Sequence, residues 1–224
     1  MKLNTNIIEA ICFDIDGTIS DTDDLYVKKL VNFLKPVQTI FKINDLNKFA
    51  RRFVMTIESP ANFLMGLPDV IGLDDEIYMV MDFLAKKVNP KPREFRVIPG
   101  VEGLLENLFN KYPLSVVTAR DERTSRRFLE ATNLDKYFKF GAFAQTCEHT
   151  KPFPDPIIWA AEKMGVTTER CLMVGDTTVD IQSGRSAGAQ TVGVLCGFGE
   201  KEELIRKGAH LILDSTADLD KIIL

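Results

Sequence analysis

Residues 7–18 read Ile7-Ile8-Glu9-Ala10-Ile11-Cys12-Phe13-Asp14-Ile15-Asp16-Gly17-Thr18. An apolar, β-branched run that stops at two aspartates and a glycine has the form of a buried strand whose carboxyl end opens into a turn. The same form recurs along the chain. Leu114, Val116 and Val117 stop at Thr118, and Cys171, Leu172, Met173 and Val174 stop at Gly175 and Asp176. Thr191, Val192, Val194 and Leu195 make a fourth run, and Leu211, Ile212 and Leu213 a fifth. Strands this continuously apolar are covered on both faces, as in a parallel sheet. Helical spacing separates them: Val101, Leu104, Leu105 and Leu108 after the Pro99–Gly100 turn, and Ile157, Ala160, Ala161 and Met164 after a proline cluster. Strand alternating with helix predicts an α/β fold with a doubly wound parallel sheet.

The alternation fails between about residues 21 and 96, where only helical stripes appear. Tyr26, Val27, Leu30, Val31 and Leu34 form one; Leu46, Phe49, Ala50, Phe53, Val54 and Ile57 a second; Ile77, Val80, Met81, Leu84 and Val88 a third. The stretch ends in Asn89-Pro90-Lys91-Pro92, a hinge by composition. The division that follows is an α/β core over 1–20 and 97–224, with an all-helical module inserted at 21–96. Thr56 to Leu73 is punctuated by Pro60, Gly66, Pro68 and Gly72, and carries Phe63, Leu64, Met65 and Leu67. These apolar residues would leave an exposed patch unless they cover something; the expectation is a lid over the site, and the alternative is that they fill the module's own core.

Composition removes other classes. The chain has 224 residues and a formal net charge of −4, which argues against nucleic-acid binding through bulk electrostatics. No apolar run approaches the roughly 18 residues of a membrane helix, and the first residues lack a signal-like block. Cys12, Cys147, Cys171 and Cys196 are scattered without a CxxC pair, so reduced thiols and a cytoplasmic location are expected.

Three charged segments begin where apolar runs end: Asp14-Ile15-Asp16-Gly17-Thr18, Thr118-Ala119-Arg120 and Gly175-Asp176-Thr177-Thr178-Val179-Asp180. In an open parallel sheet ligands bind beyond the carboxyl ends of the strands, and adjacent strands are only about 4.8 Å apart. The segments would converge, bringing together Asp14, Asp16, Asp176 and Asp180. Like charges resist joint ionisation, and a hard divalent cation relieves them; magnesium is the usual choice where phosphate is bound.

In this order, Asp-Ile-Asp-Gly-Thr at 14–18, Thr118, Lys151-Pro152-Phe153-Pro154-Asp155-Pro156 and Gly-Asp-Thr-Thr-Val-Asp at 175–180 resemble the four motifs of the haloacid dehalogenase superfamily. The likeness is to its phosphatase branch, with a Rossmann-like core and a helical cap between the first two motifs, as in phosphoglycolate phosphatases and β-phosphoglucomutase. The resemblance implies Asp14 as the nucleophile that forms an aspartyl phosphate and Asp16 as general acid and base. It implies Thr118, Ala119 and Lys151 around the phosphoryl group. It implies Mg²⁺ held by Asp14, the backbone carbonyl of Asp16 and Asp176, with Asp180 behind them orienting waters or Lys151. Members that cleave carbon–halogen bonds lack an acid where Asp16 stands, so phosphate chemistry is expected. The implied activity is hydrolysis of a small phosphorylated metabolite, a phosphate monoester, by a monomer or homodimer that uses neither nucleic acid nor membrane. A phosphomutase sharing the aspartyl phosphate and a non-catalytic binding protein are the alternatives.

Weaker signals surround these. Gly184-Arg185-Ser186-Ala187-Gly188 matches a serine-hydrolase pattern, but Thr177 to Ser183 reads as a helix opening and not as the strand such a nucleophile requires. Small residues packing a helix on the sheet are the better reading. His149, between Cys147 and Lys151, reads as a loop histidine in preference to a metal ligand. Lys48, Arg51 and Arg52 read as a solvated helix face, with recognition of an anionic substrate as the alternative; Arg120 has no assigned role, but follows Thr118 closely enough to touch the site or to pair with acidic neighbours.

Overall fold

The computed structural model describes residues 2–21 and 95–223, together with Val31 and Lys35. Apart from Val31, the three helical stripes between residues 21 and 96, the lid expected between Thr56 and Leu73, and the Lys48/Arg51/Arg52 cluster lie outside the described residues. Among the described residues, six strands form one sheet: β1 (Ala10–Phe13), β2 (Leu114–Val117), β3 (Phe140–Ala142), β4 (Cys171–Gly175), β5 (Gln190–Val194) and β6 (Leu211–Leu213). Their order is β3-β2-β1-β4-β5-β6 and every pairing is parallel. The helices are α1 (Val101–Phe109), α2 (Glu122–Ala131), α3 (Asp155–Met164), α4 (Thr178–Ser186), α5 (Lys201–Arg206) and α6 (Asp220–Ile223). This is the Rossmann-like, doubly wound α/β architecture expected from the alternation of runs.

Alternation along each strand builds two cores. From β1, Ile11 and Phe13 face one side with Leu114, Val116, Leu172, Val174, Val192 and Val194. There they meet Val101, Leu104, Leu105 and Leu108 of α1 and Phe128 and Leu129 of α2. Ala10 and Cys12 face the other side with Val117, Ala142, Cys171 and Met173, against Ile157, Ala160 and Ala161 of α3. Phe13 and Leu105 are completely buried, and each such side chain contributes about 1.5–3 kcal/mol through its transfer from water. Cys12 and Cys171 belong to this packing as free thiols, as their setting in apolar runs suggests.

Gly184 lies in α4. A Cβ there would come within 2.6 Å of Thr191 Cγ2 and 3.0 Å of Met173 Cβ, so the small residue lets the helix sit close on β4 and β5. Ser186 is the last residue of that helix, not the apex of a strand-to-helix turn. The serine-hydrolase reading has no structural footing.

The two ends of the long insertion are joined. Ser20 and Val97 form an antiparallel bridge, Asp21 N–H donates to Arg96 O at 2.9 Å, and Ile98 N–H donates to Ile19 O at 2.9 Å. The chain therefore leaves the core beyond β1 and returns at the same place, beside the carboxyl ends of the strands. No helix among the described residues is long and apolar enough to cross a membrane.

Candidate active site

Strand order reverses between β1 and β4, from which the chain crosses to β2 on one side and to β5 on the other, and this is where a doubly wound sheet opens a crevice at its carboxyl edge. Asp14 is the first residue after β1, and its N–H donates to Val174 O at 3.0 Å, which ties it to β4. Asp176 is the first residue after β4, and Thr118 the first after β2. The three charged segments of the sequence thus meet at one edge, and Lys151 joins them from the loop before α3.

Lys151 is the centre of the cluster. Its Nζ donates to Asp14 Oδ1 at 2.7 Å and to Asp180 Oδ1 at 2.6 Å, and the side chain is 3% exposed. Burial works against its charge, but Asp14 and Asp180 outweigh that effect and hold the amine above the ordinary lysine range. Asp180 has a second task. Its Oδ2 accepts from Thr177 N–H at 2.9 Å and from Thr177 Oγ1 at 2.6 Å, a capping box that opens α4. Gly175 permits this approach: a Cβ there would lie 2.3 Å from Asp180 Cβ.

Asp176 is fully buried and receives no salt bridge among the described residues. Its Oδ2 accepts from Phe198 N–H at 2.8 Å and its Oδ1 from Thr18 Oγ1 at 3.2 Å. The loop carrying Phe198 approaches closely because Gly197 has no side chain; a Cβ would fall 2.2 Å from Asp176 Oδ2. Burial first, then Asp180 and Asp14, push the Asp176 carboxyl well above the usual carboxylate range, against Phe198 N–H and Lys151. Asp14 behaves likewise. Burial raises it to about 7, with Asp180 and Asp16 adding to the rise and Lys151 opposing it.

One oxygen from each of Asp14, Asp176 and Asp180 lies within 4.8 Å of the others. Lys151 is the one cation hydrogen-bonded to this trio among the described residues, so three buried carboxylates share one positive charge. Such a donor set, all oxygen and short of counter-charge, fits a hard divalent cation. The Asp16 side chain lies apart from the trio. Its Oδ1 accepts from Arg120 Nη2 at 2.5 Å. Thr118 is buried, and its Oγ1 accepts from Arg120 N–H at 3.2 Å, leaving its hydroxyl hydrogen to donate elsewhere. Ala119 is half-buried between them.

The structure therefore brings Asp14, Lys151, Asp176 and Asp180 into direct contact or close approach, with Asp16, Thr118 and Ala119 at their margin. His149 stands outside. It is half-exposed, pairs with Asp155 at 3.1 Å and stacks on Phe153. Phe198 and Gly197 are the residues that sequence reading does not place, and Arg120 is one that it places beside Thr118 without a role. A glycine flanking an aromatic after a strand, Gly197-Phe198-Gly199, is a signal of close backbone approach that could have marked the loop.

A model of haloacid dehalogenase-like hydrolases matches residues 11–194, a span that holds every one of these residues except Gly197 and Phe198. Pyrophosphatase PpaX of Anoxybacillus flavithermus is 29% identical over 218 residues, covering 96% of this chain and 97% of its own. The protein of the same name from Oceanobacillus iheyensis is 28% identical, covering 96% and 97%. Among solved structures, a predicted phosphatase from Clostridium acetobutylicum superposes with a TM-score of 0.69 at 26% identity, covering 96% of this chain and 98% of its own. A haloacid dehalogenase-like family hydrolase from Streptococcus pneumoniae gives 0.72 at 22% identity, covering 98% and 100%. With the ordered motifs standing at the switch point of the sheet and the family match running from β1 through β5, the chain belongs to the haloacid dehalogenase-like hydrolases and is an enzyme of their phosphatase branch.

Proposed function

We propose that this enzyme is a Mg²⁺-dependent phosphatase that passes the phosphoryl group of a small phosphorylated compound first to Asp14 and then to water. The observation that carries the reading is the buried contact of Asp14 with Lys151, beside Asp176, at the crevice of the sheet. The Asp14 carboxylate would attack phosphorus; an O–P bond forms to Asp14 as the bond to the leaving oxygen breaks. Asp16 would give that oxygen a proton, then take one from the water that opens the aspartyl phosphate, releasing phosphate and restoring Asp14. Lys151 would offset the charge of the carboxylate and the phosphoryl oxygens as they close on each other. Thr118, through its hydroxyl hydrogen, and Ala119, through its N–H, would hold those oxygens. Asp14, Asp176 and the backbone carbonyl of Asp16 would hold Mg²⁺, with Asp180 behind them on Lys151; the ion supplies positive charge that offsets repulsion between nucleophile and substrate.

The sequence favours a phosphate monoester. The relatives named pyrophosphatase favour a second reading, a phosphoanhydride, with the same chemistry at phosphorus. We further propose, from its helical stripes and its paired ends, that the segment 21–96 is the cap that selects among such compounds.

The test is phosphate release with Mg²⁺ from a panel of phosphorylated compounds. Asp14→Asn keeps the shape and removes the attacking charge, so turnover should fall by at least about 10³-fold while the protein stays folded. Release of free phosphate, and not an isomerised sugar phosphate, separates a phosphatase from a mutase. Near-normal turnover by Asp14→Asn would overturn the assignment.

A further inference from the structure

Arg120 takes no part in the chemistry described above, yet it is held firmly at its edge. It stands two residues beyond Thr118, before α2. Nη2 donates to Asp16 Oδ1 at 2.5 Å. The guanidinium carbon lies 5.8 Å from the centroid of Phe128, whose ring meets Phe95 edge-on at 5.7 Å. The backbone N–H is fixed on Thr118 Oγ1. The side chain is 10% exposed, and Nη1 is buried without a hydrogen-bond partner among the described residues.

A buried guanidinium nitrogen without an acceptor is costly, more so than a neutral group, because its hydration is lost and nothing replaces it. Native structures rarely tolerate such a group unless a ligand completes it. The planar fork of arginine matches two oxygens at once, and here one tine is already on Asp16. The other, Nη1, shares the plane of that fork and so lies beside the Asp16 carboxylate. Its natural acceptor is an anionic oxygen carried by the substrate. The transferred phosphoryl group already has Lys151, Thr118 and Ala119 on its own side.

We propose that Arg120 is a specificity-determining residue whose Nη1 receives an anionic oxygen on the leaving side of the substrate, either a second phosphoryl group or a carboxylate near the scissile bond. The inference rests on the assignment of Asp14 and Asp16 above and goes beyond it by naming what the leaving group must carry. A neutral alcohol would leave Nη1 unpaired and should be a poorer substrate.

The experiment compares inorganic pyrophosphate, 2-phospholactate and ethyl phosphate as substrates for wild type, Arg120→Gln and Arg120→Lys. Binding of methylenediphosphonate and 3-phosphonopropionate is measured by calorimetry on the same proteins. Arg120→Gln should lose at least ten-fold more kcat/KM on one anionic substrate than on ethyl phosphate, with most of the loss in KM. The matching phosphonate should bind at least ten-fold more weakly. Arg120→Lys keeps the charge without the fork and should recover part of the loss; it also stands in if the glutamine variant does not fold. A selective effect on pyrophosphate and methylenediphosphonate identifies a phosphoanhydride, and one on phospholactate and phosphonopropionate a phosphorylated hydroxy acid. Equal losses on all three substrates, with phosphonate binding unchanged, would overturn the inference and leave Arg120 as a support for Asp16. Absence of turnover on every substrate by wild type would count against the phosphatase reading itself, and the phosphonate titrations would still decide whether Arg120 binds an anion.

Discussion

Asp14 is buried in a place where ionisation is costly, and that sets how the metal-free protein responds to pH. Its folded pKa is raised to about 7, against about 3.9 for an exposed aspartate. A carboxyl raised by folding contributes stability that is fully present below the unfolded value and lost as pH rises through the folded one. Asp176 shifts in the same direction. Lys151 is raised above the lysine range, so its contribution is constant below that range. In excess chelator, the melting temperature should therefore fall between pH 5 and pH 8, and Asp14→Asn should flatten part of that fall. Parallel profiles for the two proteins would contradict the buried charge. At this scale Asp14, Asp16 and Asp176 are legible in the sequence because they stand where an apolar run gives way to charge, Asp180 follows in the last of those segments, and Lys151 is marked only by the likeness of Lys151-Pro152-Phe153-Pro154-Asp155-Pro156 to a family motif. Arg120 is legible in part: its place two residues after Thr118 puts it within reach of the site and of acidic neighbours, but the choice of Asp16, 104 residues away, is not marked in the local pattern. Phe198 N–H is not legible, since its service to Asp176 is a backbone contact and carries no residue type.

Helix α4 shows one side chain serving an element and a site together. Asp180 caps the helix through Thr177 and anchors Lys151 through its other oxygen. Asp180→Ala removes both, leaving Thr177 N–H without its acceptor and Lys151 with one carboxylate, and should cost about 2–4 kcal/mol. Asp180→Asn keeps an acceptor oxygen for the cap and should cost less, while still impairing turnover through Lys151. Denaturant midpoints of the two variants check this; an equal loss would mean that the cap contributes nothing separable. Among elements, strands β1, β2, β4, β5 and β6 and helices α1 and α3 were legible from apolar runs and helical spacing, and α4 only as a helix opening over Thr177 to Ser183. Strand β3 was not, since it is a three-residue edge strand, Phe140-Gly141-Ala142, with one buried side chain. Helix α2 was not, since Glu122, Arg123, Arg126, Arg127 and Glu130 leave only Phe128 and Leu129 as an apolar signal. Its one readable mark is Asp121, whose side chain accepts from Thr124 N–H at 3.0 Å as an N-cap.

At the scale of the whole molecule, the parallel sheet explains why four segments so far apart in sequence make one site. Parallel pairing throughout places every strand's carboxyl end on one edge, and the reversal between β1 and β4 opens that edge to a ligand. The paired ends of the insertion, Ile19–Asp21 against Arg96–Ile98, emerge at the same edge, so a cap that selects the substrate would stand directly over the chemistry. The proposed division into core and inserted segment rests on a change of period in the sequence, from continuous apolar runs to helical stripes. Which substrate the enzyme takes was not, because selectivity lies in side chains brought together by folding. The account stands or falls on the covalent step at Asp14. The most direct measurement mixes enzyme, Mg²⁺ and a turned-over substrate, quenches within one turnover, reduces with borohydride and maps the peptides by mass spectrometry. The account predicts reduction of residue 14, through its acyl phosphate, to homoserine, in wild type and not in Asp14→Asn. Steady turnover with no modification at residue 14 at any quench time, or trapping at another side chain, would contradict it.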